Sequence, residues 1–269
     1  QPASNPFYFG NVDGEVRNTG IEFFIDGDII ANDDFSWTSS FNISYNENEV
    51  TKFDGIIQTG AISGQGLSGA FAQTIQEGQP LYSYFLNEWS GFDSSGNSIE
   101  SAEKQLVGKS PLPDFIFGLS NTLNYKNWNL NVFFSGQQGS YIYNNNANAI
   151  FLKGALLNGA KNVTREVANN AESATNGNGV STRFLEDGSY IRLQNLSLGY
   201  TLDTEKFKFV DNLLLSLTGQ NLFTITGYSG QDPEVNVDKS INGVPSFGID
   251  YSAYPRARTI TLGLTVSLK

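Results

Sequence analysis

Residues 35–45 read Phe35-Ser-Trp-Thr-Ser-Ser-Phe-Asn-Ile-Ser-Tyr45. Every even position is polar, whereas all odd positions except Ser39 are aromatic or aliphatic. This alternation has a period of two, which predicts a β-strand with one apolar and one polar face. Residues 259–269 repeat the pattern, with isoleucine, leucine or valine at the even positions and mostly threonine, serine or glycine at the odd ones. An α-helix would instead bring its apolar residues back every three to four positions.

The same pattern, less regular elsewhere, predicts about nine strands along the chain. In one of them the apolar residues change from odd to even positions between Leu193 and Leu196. This change indicates either a β-bulge or a strand whose upper half lies outside a membrane. The predicted strands are residues 17–29, 35–46, 66–76, 80–91, 115–125, 128–142, 188–202, 212–224 and 257–268.

The connections between these strands alternate in length. Short connections fall near residues 31–34, 77–79, 126–127 and 203–211, and long ones span about 47–65, 92–114, 143–187 and 225–256. Short periplasmic turns and long extracellular loops are typical of outer-membrane barrels, whose strands are also longer than the 5–6 residues usual in soluble proteins. We therefore predict an all-β fold, a transmembrane antiparallel β-barrel. A soluble β-sandwich, such as a secreted carbohydrate-binding module, is the alternative, because its strands alternate too.

Composition restricts the chemistry. The 269 residues carry a net charge of −11, which argues against nucleic acid as a partner. The chain has no cysteine and no histidine. Disulfides, thiolate nucleophiles, Cys/His zinc sites and a Ser-His-Asp triad are therefore excluded. We predict that the protein is not an enzyme, with no catalytic residues and no cofactor; an outer-membrane hydrolase is the remote alternative.

Nine strands cannot close a bacterial barrel alone, because such barrels have an even number of strands and open edges do not occur in lipid. The chain also lacks methionine, so Gln1 is not a natural translation start. We therefore expect residues 1–269 to be the C-terminal segment of a longer barrel.

Several motifs resemble the C-terminal half of the SusC/RagA family and occur in that family's order. The closest match is Arg183-Phe-Leu-Glu-Asp-Gly-Ser-Tyr-Ile-Arg-Leu193, followed by Asn195-Leu-Ser-Leu-Gly-Tyr200. The chain differs from many outer-membrane proteins in ending with Leu268-Lys269, without a terminal aromatic residue. The other matching segments are Asn18–Glu22, Phe35–Trp37, Glu77–Leu81, Trp89–Asp93, Gly219–Thr224, Asp232–Val235 and Tyr254–Thr259.

The resemblance implies a function in the bacterial outer membrane. Proteins of this family form a barrel of about 22 strands that is closed by a plug. They import oligosaccharides or peptides with energy from TonB, and a SusD-type surface lipoprotein covers the extracellular face. The implied partners are therefore the N-terminal barrel and plug segment, the lipoprotein, TonB, and the lipid bilayer with its lipopolysaccharide.

Candidate binding residues lie in and beside the long loops. Aromatic faces suit sugar or peptide binding, although an interfacial aromatic belt is the more general explanation of such residues. A second pattern places oxygen ligands at alternate residues, as in a weak Ca²⁺ site, but a solvated loop explains it as well. The predicted substrate-binding residues are Trp89, Tyr141, Tyr143, Tyr228, Asp232, Tyr251 and Tyr254, and the weak Ca²⁺ candidate is Asp232, Glu234, Asn236 and Asp238.

One loop has a low-complexity composition. Residues 143–148 are rich in asparagine, and residues 169–179 are rich in asparagine, alanine and glycine, so we expect the latter to be mobile. Between them, residues 149–168 permit a short surface helix.

Overall fold

A computed structural model describes residues 12–64, 67–159, 161–205, 207–234 and 245–269. Within these ranges two short α-helices, α1 (Asn145–Ala149) and α2 (Arg165–Asn169), and two 3-10 helices (Lys153–Leu157 and Thr182–Phe184) accompany the strands. The strands are β1 (Gly14–Ala31), β2 (Phe35–Phe53), β3 (Ile57–Gly64), β4 (Leu67–Ile75), β5 (Ser83–Leu86), β6 (Trp89–Phe92), β7 (Ser98–Glu100), β8 (Gln105–Leu106), β9 (Phe115–Tyr125), β10 (Trp128–Gln138), β11 (Tyr141–Asn144), β12 (Leu185–Asp187), β13 (Tyr190–Leu202), β14 (Val210–Thr226), β15 (Ile249–Asp250) and β16 (Thr259–Leu268).

Seven strands form one antiparallel sheet, which we call the wall. Their order is β1-β2-β9-β10-β13-β14-β16, so neighbours in the sheet are also consecutive among the long strands. The register between β2 and β9 is unbroken from the pair Phe35–Tyr125 to the pair Tyr45–Phe115. The predicted bulge is confirmed, because Gln194 is skipped in the pairing of β13 with both β10 and β14.

Connections of the wall alternate as predicted. Residues 32–34, 126–127 and 203–209 link strands at one end, whereas residues 54–114, 139–189 and 227–258 link them at the other. We call the described residues of these three long connections the loop assembly.

Two predicted wall strands belong to the loop assembly instead. Residues 66–76 and 80–91 supply β4, β5 and β6, and the first two of these pair in a separate sheet of order β3-β4-β5-β8. Residues 47–65 are not a loop, because β2 continues to Phe53 and β3 follows. An amphipathic strand that covers a protein core has the same period of two as one that faces lipid, so the local pattern could not separate them.

The apolar face of the wall is not packed into a core. Leu264 is 62% exposed and Leu215 is 42% exposed, while Phe41 and Leu119 are half-buried. A β-sandwich would bury all four residues between its sheets, so the structure contradicts that alternative. Aromatic pairs lie near both ends of the wall strands, such as Trp128 with Tyr200, whose ring centroids are 4.6 Å apart. No helix among the described residues is long and apolar enough to cross a bilayer.

The hydrophobic core of this chain lies in the loop assembly. It joins the sheets of order β3-β4-β5-β8 and β12-β11-β15. Its members are Ile62, Ala72, Tyr84, Leu86, Tyr143, Leu152, Phe184 and Ile249.

Candidate functional site

One buried tyrosine connects all three long connections. The hydroxyl of Tyr84 lies 2.9 Å from the carbonyl oxygen of Tyr141 and 2.8 Å from that of Gly248. Gly248 has a φ of +67°, and a Cβ there would clash with the Tyr84 side chain. Burial raises the pKa of Tyr84, so the phenol stays protonated and remains a hydrogen-bond donor. The loop assembly is therefore tied together from within.

Buried asparagine side chains order the low-complexity segment. The Nδ2 of Asn148 donates to the carbonyl of Gly179 at 2.7 Å, and the amide of Gly179 donates to Oδ1 of Asn148 at 3.2 Å. Asn144 caps α1 by accepting from the amide of Ala147. Asn178 donates to the carbonyl of Asn148. Asn178 and Gly179 therefore have partners in the loop assembly, and the mobility expected of residues 169–179 stays a prediction. The predicted helix within 149–168 is reduced to a 3-10 turn and the start of α2.

An arginine–glutamate pair fixes the position of the aromatic side chains at the site. Arg183 donates two parallel hydrogen bonds to Glu172, with Nη–Oε distances of 2.7 and 2.9 Å. The Glu172 side chain is 0% exposed and that of Arg183 is 10% exposed. The guanidinium carbon lies 4.8 Å from the ring centroid of Phe92 and 5.9 Å from that of Trp89. Such stacking holds both rings in place.

Electrostatics favour the ionised form of Glu172. Burial alone would raise the pKa of its carboxyl group, but hydrogen bonds from Arg183 and Asn176 and the charge of Arg183 hold that pKa below its ordinary value. The pair is therefore charged on both sides at neutral pH.

A second ion-pair network joins the wall to the loop between β14 and β16. Arg192, fully buried on β13, pairs with Asp232, and its second Nη lies 3.0 Å from Glu234. Arg256 pairs with the other oxygen of Glu234 at 3.1 Å. Although burial opposes ionisation, Arg192 and the amides of Glu234 and Arg256 keep the pKa of Asp232 below its ordinary value.

This network occupies the two described carboxylates of the predicted Ca²⁺ site. Asp232 and Glu234 already neutralise arginines, while Asn236 and Asp238 lie outside the described residues. Among the described residues no group of three or more acidic side chains is placed to hold a metal ion.

An open cleft of about 1090 Å³ lies among the three connections of the loop assembly. Trp89 and Phe92 line it from the first connection, separate residues between 144 and 186 from the second, and residues 229–231 and 252–255 from the third. Its lining combines aromatic faces, amides and carboxylates. Examples of these groups are the aromatic Trp89, Phe92 and Tyr254, the amide Asn146, and the carboxylates Glu166 and Glu186. Aromatic faces with a few placed polar groups are typical of small-molecule and peptide sites.

Two of the predicted substrate-binding residues line this cleft. They are Trp89 and Tyr254, and 98% of the surface of Tyr254 is exposed. Their role in binding stays a prediction. Tyr251 is half-buried and adjoins the lining residue Ser252. Tyr141 is also half-buried, with Lys109 over its ring at 4.4 Å.

The remaining predicted residues have structural roles. Tyr143 is 0% exposed, and its hydroxyl donates to the carbonyl of Gly179. Tyr228 is buried and donates to Asp250 at 2.6 Å, and burial raises the pKa of both groups. Asp232 is committed to Arg192. Burial and these bonds give the three residues structural roles, and their part in binding stays a prediction.

Sequence reasoning missed Arg183, Glu166 and the acceptor Glu186. Glu186 accepts hydrogen bonds from Asn144 and from the amide and hydroxyl of Ser229. Arg183 and Glu186 lie in the motif 183–193, the most specific segment of the chain, but the motif carries no indication of which side chains meet, and Glu166 lies outside it.

The fold and this site together define a class of protein: a segment of an outer-membrane β-barrel with folded loops over one end. The chain belongs to the family described as TonB-dependent receptor-like β-barrel, whose model matches residues 1–222. Receptors of this family lie in the outer membrane and are not enzymes, in agreement with both predictions.

Relatives support the same family. The chain is 33% identical to TonB-dependent receptor P3 of Formosa agariphila and 30% identical to TonB-dependent receptor SusC of Bacteroides thetaiotaomicron, in each case over 94% of the chain. It spans only 29% and 26% of those proteins. Among solved structures it is similar to the RagAB peptide importer in the open-open state, with a TM-score of 0.73, 21% identity, and coverage of 94% of this chain and 29% of that one. The resemblance to SusC/RagA proteins is thus confirmed.

Proposed function

We propose that this chain forms the C-terminal barrel wall and the extracellular loops of a transporter that imports oligosaccharides or peptides across the outer membrane. TonB supplies the energy through a plug domain in another part of the same protein. The main support for this proposal is the open cleft, which residues of all three long connections line. The cleft lies at the loop end of a wall whose apolar side chains remain exposed. The relatives named for SusC and for the RagAB peptide importer support both substrate classes.

The partners follow from the surfaces of the wall. Strands β1 and β16 are the two edges of the wall and do not pair with each other in the described structure. Because an open edge is not tolerated in lipid, N-terminal strands of the same barrel pair with them, around a plug that faces the polar side of the wall. Lipid and lipopolysaccharide contact the apolar face. A SusD-like surface lipoprotein covers the loop assembly.

Uptake measurements test the proposal. In a strain lacking the gene, the full-length protein is restored as wild type or as Tyr254→Ala, and growth is followed on mixed oligosaccharides and on mixed peptides. Losing an exposed stacking face lowers uptake roughly fivefold, since an aromatic contact contributes about 1 kcal/mol beyond its buried area. Tyr125→Ala is the matched control, because Tyr125 is 51% exposed at the opposite end of the wall. Equal uptake by both variants and wild type on every substrate would refute the role of the cleft.

A further inference from the structure

The cleft contains one cation, and that cation is already neutralised. Among the described residues that line the cleft, Arg183 is the sole arginine or lysine. Both of its Nη atoms bind Glu172, whose own side chain is inaccessible. Lys153 lies behind the lining, where its Nζ donates to the carbonyl of Asn170 at 2.7 Å. An anionic ligand therefore meets no free arginine or lysine among the described residues that line the cleft.

The carboxylates that line the cleft form no ion pair with an arginine or lysine among the described residues. Glu166 is exposed on α2 and forms no ion pair within the described residues. Glu186 accepts only from the neutral groups of Asn144 and Ser229. Neutral donors hold a carboxylate in position but leave its charge in place, so Glu166 and Glu186 both favour a negative potential at the lining. Arg165 and Arg256 adjoin lining residues in sequence but are exposed to solvent, which screens their opposing charge.

We infer that this cleft selects uncharged ligands over anionic ones of similar size, and that Glu172 is a specificity-determining residue because it occupies the arginine an anion would need. The inference rests on the proposed function, since it treats the cleft as the ligand site. A ligand carboxylate or sulfate would have to displace Glu172 from a bidentate, nearly dry pair. An uncharged, hydroxyl-rich or amide-rich ligand uses the aromatic faces of Trp89, Phe92 and Tyr254 without that exchange.

A thiol reporter measures the potential without knowledge of the ligand. This chain has no cysteine, so Ala253→Cys places a unique thiol in the lining of the full-length protein once any cysteine elsewhere has been replaced. The probes are two methanethiosulfonates of similar size, the anionic sulfonatoethyl and the cationic trimethylammonioethyl reagent. Their rate ratio cancels the reactivity of the thiol itself. Relative to free cysteine, the ratio should favour the cation about tenfold at low salt.

Two isosteric variants locate the source of the potential. Glu172→Gln frees the charge of Arg183, and Glu166→Gln removes an exposed carboxylate that has no packing role. Each should move the ratio towards the anion about threefold, and 1 M salt should remove most of the effect. A thiol at Ala102→Cys, exposed and outside the cleft, should respond less than twofold to either variant. A ratio at Ala253→Cys equal to that of free cysteine, or unchanged by both variants, overturns the inference.

A binding measurement separates this inference from the proposed function. The full-length protein in detergent is mixed with a pool of neutral, uronic and sulfated oligosaccharides and of neutral and acidic heptapeptides. Retention of neutral members, with acidic ones gained in Glu172→Gln, supports the charge selection. Preferential retention of acidic members by the wild type overturns it and leaves import intact. If Tyr254→Ala also leaves uptake unchanged, the cleft is not the ligand site of the proposed transporter, and the thiol ratio still reports the potential.

Discussion

The wall and the loop assembly expose and bury opposite kinds of surface. In the wall, alternate leucines point outward, and Leu262 on β16 is 80% exposed. In the loop assembly, Tyr84, Tyr143 and Ile249 are completely buried. The buried apolar residues of the wall, Val50, Tyr190 and Leu193, lie at its loop end.

This difference indicates two sources of stability in one chain. The wall depends on strand pairing and on a hydrocarbon medium for its outer face. The loop assembly depends on a hydrophobic core and on satisfied buried polar groups, as a soluble domain does. Substitutions should therefore affect one region without the other, and each prediction below tests that separation.

The largest effect is expected for Tyr143→Ala. Removing a fully buried aromatic side chain should cost about 3–5 kcal/mol of the free energy that keeps the loop assembly closed. Amide hydrogen exchange of the full-length protein should then rise around Gly179 while the wall amides near Leu119 stay protected. Tyr254→Ala, which removes an exposed ring, should leave exchange unchanged. Loss of protection throughout the wall would show that the two regions fold as one unit.

Leu264→Lys probes the wall from its lipid face. A lysine at the middle of a lipid-facing strand should destabilise the barrel by about 2–4 kcal/mol. Thr265→Lys, on the opposite face of the same strand, should cost much less. Denaturant unfolding of the full-length protein in lipid vesicles measures both. If the two lysines are equally costly, the outer face of the wall does not contact hydrocarbon.

The wall was largely predictable from the sequence because its signal is local. Strands at 35–45, 115–125 and 259–268 and the bulge at Gln194 all follow from which residues alternate. The same rule assigned β4 and β5 to the wall, although they cover the core of the loop assembly. Alternation reports that a strand has two different faces and carries no information about the medium beside the apolar one.

The site was less predictable because it depends on contacts between distant segments. Half-buried Trp89 and exposed Tyr254 line the cleft, as expected from residue type, but Tyr143 and Tyr228 are also aromatic and are buried. Arg183 acquires its role only through Glu172 and the aromatic residues of another connection.

Asn148→Ala tests whether the low-complexity segment is ordered by its own side chains. The substitution leaves the amide of Gly179 without its side-chain acceptor, at a cost of about 1–3 kcal/mol, while the Tyr143 hydroxyl still donates to the carbonyl of Gly179. Exchange should increase locally in the second connection and remain unchanged in the wall. Asn162→Ala, at an exposed position, is the control. An unchanged rate at Gly179 would mean that the backbone alone holds this segment.

The smallest effect is expected for the titration of Glu172. It should make the loop assembly sensitive to acid and leave the wall unaffected. Its pKa in the folded chain lies below the ordinary value of 4.5, so the folded state binds its proton less readily than the unfolded state does. The resulting stabilisation is complete above the unfolded pKa and is lost as the pH falls through the folded pKa. Amide exchange in the second connection, corrected for its intrinsic pH dependence, should therefore accelerate as the pH is lowered below about 4.5.

Glu172→Gln should flatten that acceleration, because glutamine does not titrate, although Asp232 still contributes near the base of the third connection. Glu103→Gln, at an exposed position outside the cleft, should leave the pH profile as in the wild type. The wall amides should show no corresponding change, since their protection does not involve the Arg183 pair. Identical profiles for Glu172→Gln and the wild type would place the acid sensitivity of the loop assembly elsewhere, with Asp232 and its partner Arg192 as the next pair to test.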